Sequence, residues 1–178
     1  MLVREEPGDT RCTDRRIVIS SDGGPVRNFD VEQITWFEIV RYGKPVFRQP
    51  LNGYFAASFS TGRQKGELMT FRGYRNNQKF FEFEDTAKPF FKDGLSVEGP
   101  KSILTASYRD AFGKDRREYF IVSYDAVTLL DNDEGAKRWQ ELQDLGSKVQ
   151  GIELDQLVKP TQVKAWVNSL TPKIPAVH

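Results

Sequence analysis

Cysteine and histidine are almost missing from this 178-residue chain, which holds one of each, Cys12 and His178. A single cysteine cannot close a disulfide within the chain, and the expected home is a reducing compartment, the cytoplasm. A Cys–His couple or a Ser–His–Asp triad would have to recruit His178, the last residue, so nucleophilic catalysis of that kind is not expected. A structural zinc site needs about four Cys/His ligands. The expectation is therefore no metal and no cofactor. A phosphate loop of the GxxxxGK[ST] type is also lacking. Gly62-Arg63-Gln64-Lys65-Gly66 is basic and glycine-flanked, but it has neither the spacing nor the Lys-Ser/Thr pair. No apolar run approaches the ~18 residues that span a bilayer. Met1–Pro7 has no apolar signal core, so neither a membrane location nor a cleaved export signal is expected.

Carboxylates are plentiful, and two groups of them invite a chemical reading. Glu82, Glu84 and Asp85 lie close together, and on a strand Glu82 and Glu84 would share a face able to hold Mg²⁺ or to act as an acid/base pair. A solvated strand face explains the same pattern more simply. Asp131-Asn132-Asp133-Glu134 lacks the register and the distal Glu of a calcium loop, and reads better as the capped start of a helix. The chain is expected not to be an enzyme.

The residues that are abundant describe a globular domain. There are 13 Phe, 6 Tyr and 3 Trp, with 29% charged residues. A chain of this length buries roughly two thirds of its unfolded surface and needs no covalent staple. Turn-forming groups punctuate candidate strands at 45–49, 53–60, 66–74, 78–84, 103–109 and 117–125, with a tight hairpin at Asn76-Asn77. Asp30-Val31-Glu32-Gln33 resembles a capping box and predicts a helix to about Gly43, against the β-branched and aromatic content of Ile34–Tyr42. Helices are predicted at roughly 133–145 and 161–170, the second from the stripe Val163, Trp166, Val167, Leu170. The fold class is α+β: an antiparallel curled sheet or small β-barrel, OB-like in layout, followed by two C-terminal helices. Residues 1–15 read as a flexible arm, 16–130 as the β domain and 131–178 as a helical extension packed on the sheet.

Net charge is only +1, but it is unevenly spread. Residues 1–40 carry −3, residues 41–81 carry +7, residues 82–117 cancel, and residues 118–178 carry −3. The basic middle also contains Tyr42, Phe47, Tyr54, Phe55, Phe59, Phe71, Tyr74, Phe80 and Phe81. Cations that track phosphates and rings that stack on unpaired bases are what single-stranded nucleic acid asks of a protein. The candidate binding residues are Arg63, Lys65, Arg72, Tyr74, Arg75, Lys79, Arg116 and Arg117, with Arg72 and Tyr74 expected on one strand face and Arg75 and Lys79 flanking the hairpin. The expected partner is single-stranded nucleic acid. The alternative is a protein–protein interaction or assembly subunit, such as a viral or phage structural component or an inhibitor, with a protein partner or a second copy of itself.

Overall fold

A computed structural model describes the backbone of residues 2–7, 15–21, 24–54, 56–59, 67–72, 74–123 and 127–175, and the side chains of 19–21, 24–54, 78–123 and 127–175. Its centre is a five-stranded antiparallel sheet. The strands are β3 (Arg27–Arg41), β4 (Lys44–Leu51), β7 (Leu95–Arg109), β8 (Asp115–Val122) and β9 (Val127–Leu130), in the order β4-β3-β7-β8-β9. The two end strands do not pair with each other, so the sheet is open and the barrel alternative is set aside. A second antiparallel sheet joins β1 (Leu2–Pro7), β2 (Arg15–Ser20), β6 (Glu67–Arg72) and β5 (Ala56–Phe59) in the order β1-β2-β6-β5. The N-terminal residues expected as a loose arm thus include a strand, with Val3 opposite Ile19.

The predicted helix over 30–43 is instead β3. A capping box can start a helix only if the following residues gain by coiling. Thr35-Trp36-Phe37-Glu38-Ile39-Val40 is buried throughout and gains more from the sheet centre, where both faces are covered. Its register with β7 sets Val31 opposite Ala106, Ile34 opposite Ile103 and Ile39 opposite Val97. The predicted strand at 78–84 is likewise corrected. Tyr74–Ala87 is a helix, α1, and it replaces the Asn76-Asn77 hairpin. Phe80, Phe83 and Ala87 are buried at helical spacing, whereas neighbouring Phe81 and Glu82 are exposed.

Helices cover both faces of the five-stranded sheet. On one face α2 (Asn132–Lys148) sets Trp139 and Leu142 against Trp36, Ile103 and Tyr119. On the other, α1 and α3 (Pro160–Leu170) enclose Phe37, Ile39, Leu104, Ala106, Phe120 and Val122, and Ile19 of β2 joins the same core. Phe37 holds this face together: its ring lies 5.5 Å from Phe80, 5.4 Å from Phe83 and 5.5 Å from Trp166. Edge-on and tilted ring contacts of this kind add about 0.5–1.5 kcal/mol each beyond their burial. The C-terminal helices fall where the sequence predicts them. Asp131 caps α2, its Oδ1 accepting from the Glu134 N–H at 2.9 Å. After α2 the chain returns to the free edge of β4, where Ile152 N–H donates to the Pro50 carbonyl at 3.1 Å and Asn52 N–H to that of Ile152 at 2.8 Å. Among the described residues no helix is long and apolar enough to cross a membrane.

Candidate nucleic-acid interface

The junction between β6 and α1 gathers half of the predicted binding residues, in a geometry the sequence did not suggest. Arg72 is the last residue of β6, and Tyr74 and Arg75 are the first two of α1. Arg72 and Tyr74 therefore do not share a strand face. Arg75 and Lys79 stand one helical turn apart on the same flank of α1. The first turn of α1 contains no acid, so the positive dipole end of the helix meets no counter-charge from that turn. The side chains of Arg72, Tyr74 and Arg75, and Arg63 and Lys65 altogether, lie outside the described residues. Lys79 is half-buried, and its Nζ sits 2.6 Å from Asp155 Oδ1.

Arg116 and Arg117 lie elsewhere, on β8 near its turn from β7. As consecutive strand residues they point to opposite faces of the sheet. Arg116 Nε is 2.9 Å from Asp110 Oδ2. Arg117 Nη2 is 3.3 Å from Glu32 Oε2, and its guanidinium lies 5.5 Å from the Tyr119 ring and 5.8 Å from Trp139. It covers the end of the α2-side core. The eight predicted residues consequently do not form one β surface.

The β7–β8 turn is organised by Asp110. Its Oδ1 accepts from the backbone N–H of Lys114 and of Phe112, both at 2.9 Å. The Lys114 N–H, aided by the Arg116 guanidinium and the Phe112 N–H, holds the Asp110 carboxyl below the usual range. Nearby, Tyr108 donates to Glu118 Oε1 at 2.8 Å. Burial, reinforced by that bond and the Glu118 charge, pushes the Tyr108 phenol up to about 12. The same end of the sheet exposes two large apolar side chains, Phe112 at 88% and Leu129 at 60%. They border an open cleft of about 700 Å³ that Tyr108, Arg116 and Leu130 also line.

Much of the aromatic content of residues 41–81 is structural. Tyr54 and Phe80 are core residues, and Phe47 packs against the core. The rings of Phe55, Phe59, Phe71 and Tyr74 lie outside the described side chains. Phe81 is 38% exposed, and Tyr42 is the most open of the described rings in this segment, at 76%. The sequence signal for Tyr42 is Arg41-Tyr42-Gly43-Lys44, a ring among cations followed by a turn glycine.

No family model, curated protein or solved structure matches this chain.

The carboxylate pair loses its premise, because Glu82 and Glu84 lie on a helix and are turned about 200° from each other. Among the described residues no group of three or more His, Cys, Asp or Glu could hold a metal ion. Glu84 has its carboxyl raised above the usual value, first by burial and then by the charge of Asp85.

Proposed function

We propose that this protein is a non-enzymatic nucleic-acid-binding protein that takes a single strand at the β6–α1 junction, in a reducing, cytoplasmic setting. The observation that carries the reading is the +7 excess of residues 41–81, within which an α-helix begins with no acid in its first turn. A helix N-terminus flanked by arginines offers N–H donors and positive charge to a phosphate, and Tyr74 adds a ring at the same place in the chain. Fluorescence anisotropy with labelled single- and double-stranded oligonucleotides at two salt concentrations tests it. Single-strand affinity should fall steeply with salt. Arg75→Ala should flatten that slope by about one phosphate contact. Tyr74→Ala should weaken binding by about 1–3 kcal/mol with an unchanged melting temperature. Absence of binding at low salt would remove the proposal. If Tyr74→Ala chiefly unfolds the protein, the ring is packing and the assignment of that residue fails.

A protein partner is the second reading, favoured by Phe112 and Leu129 around one cleft. Apolar exposure of that kind commonly marks an interaction surface. Multi-angle light scattering of wild type and Phe112→Ser tests for self-association, and a salt-insensitive dimer lost in the variant would favour this reading.

A further inference from the structure

A second cleft lies beside the turn between β3 and β4, where Tyr42 stands. About 730 Å³ in volume, it is lined by Arg41, Tyr42, Phe90, Phe91, Lys92 and Asp93 together with residues of α3 and the segment after it. Phe90, Phe91 and Lys92 lie just past the C-terminal end of α1, Phe90 closing the 3-10 turn Lys88–Phe90 that follows it. We propose that this cleft is a ligand site for a planar ring bearing an anionic group, with Tyr42 as the stacking platform and Arg41 and Lys92 as the donors to the anion.

Three observations converge on it. The first is the way the Tyr42 ring is held. A Cβ placed on Gly94 would stand 2.5 and 2.7 Å from its Cζ and Cδ1, so the bare backbone of Gly94 supports one side of the ring. The Tyr42 N–H donates to the Gly94 carbonyl at 3.0 Å, and most of the ring still faces solvent. A ring backed by protein and otherwise open is suited to stacking on another π-system. The second is backbone conformation. Tyr42 has φ +48° and Asp93 φ +55°, so two of the three described non-glycine residues with positive φ line this cleft. A two-residue turn with positive φ at both positions favours Asn or Gly in the first slot, not a bulky ring. Such outliers concentrate at ligand sites. The third is charge. Arg41 donates from Nη1 to the Pro175 carbonyl at 2.6 Å, and its buried Nε has no acceptor among the described residues. No ion pair to a described residue engages Arg41 or Lys92. Asp93 is the one acid among the described lining residues, which together carry a net positive charge.

The site is separate from the β6–α1 junction, which lies at the other end of the 14-residue α1, about 20 Å away. Isothermal titration calorimetry on the full chain tests it with four probes: adenosine 5′-monophosphate, adenosine, 2-naphthoate and inorganic phosphate. The ring-plus-anion probes should bind at least tenfold more tightly than adenosine or phosphate alone. Binding of the nucleotide but not of naphthoate assigns the site to nucleotides; binding of both assigns it to the shared chemistry. Tyr42→Ala and Lys92→Gln should each weaken binding by about tenfold or more, and Tyr42→Phe should stay within about threefold. Arg75→Ala should have no effect here, so failure of the junction proposal and failure of this one are distinguishable. The inference is overturned if neither ring-plus-anion probe binds, or if Tyr42→Ala binds them as wild type does.

Discussion

Two glycines in α2 should respond to the same substitution with opposite signs. Helix propensity alone favours alanine over glycine by about 1 kcal/mol at each. At Gly146 nothing lies within 4 Å of an added Cβ, so Gly146→Ala should stabilise by about 0.5–1 kcal/mol, allowing for its place near the helix end. At Gly135 the added Cβ would stand 2.5 Å from both Cβ and Cδ2 of Tyr119, where ordinary contact begins at 3.4 Å. The ring cannot easily withdraw. It is packed with Trp36, Ile103, Trp139 and Leu142, and the Arg117 guanidinium covers it at 5.5 Å. Overpacking of this kind costs about 1–3 kcal/mol. Offset by the propensity gain of about 1 kcal/mol, Gly135→Ala should destabilise by up to about 2 kcal/mol. With a urea m-value of about 2 kcal/mol/M the midpoint should fall by up to about 1 M. In a Tyr119→Leu background the clash is relieved, and Gly135→Ala should become neutral or stabilising, a coupling that a double-mutant cycle reads directly. A raised midpoint for Gly135→Ala in the wild-type background would refute the packing of α2 on β8.

Arg117→Ala removes a guanidinium lying over two rings as well as an exposed ion pair, and should lower stability by about 1 kcal/mol in urea titrations. Lys79→Ala should change stability by less than about 0.5 kcal/mol, because Lys79 and Asp155 are both solvent-accessible; a larger loss in thermal melts would mean that this pair anchors α1. The Tyr108 phenol titrates near 12, against about 10 in the unfolded chain, so between those values the folded state keeps a proton that the unfolded state has lost. Stability should therefore fall as pH rises from 10 to 12, less so in Tyr108→Phe, and one tyrosine should ionise late in ultraviolet absorbance. Glu84, with its carboxyl raised, also holds a proton longer when folded, so its contribution declines as pH climbs through that raised range. Glu84→Gln should flatten that part of the pH–stability curve.

Legibility in the sequence followed how local each signal was. The two C-terminal helices could be read because capping at Asp131 and the Val163, Val167, Leu170 stripe act within a few residues. Tyr74–Ala87 could not. Phe80, Phe81 and Phe83 satisfy a strand pattern as readily as a helical one, and only packing against Phe37 and Trp166 decides between them. β3 was lost to a local capping signal that the sheet, formed across some 60 residues of sequence, overrides. Arg72, Tyr74, Arg75 and Lys79 consequently flank a strand-to-helix junction and not a hairpin. The charge asymmetry of residues 41–81 is a property of composition and does not depend on which elements form. Tyr42 was visible as a ring among cations, but its support by Gly94 depends on a long-range pairing that no local pattern encodes.

The return of the chain to β4 also bears on how this protein behaves when crowded. An open sheet has two edges, and each is a template for unwanted strand addition. On β4 the Pro50 carbonyl points outward to Ile152, and the amide position of the same residue faces the same way, where proline has no hydrogen to offer. Pro45, next to the two-residue turn, interrupts the outer row a second time. The opposite edge, β9, is only four residues long. One edge of the five-stranded sheet is thus chemically blunted and the other too short to propagate a ladder, which disfavours aggregation through the edges of that sheet.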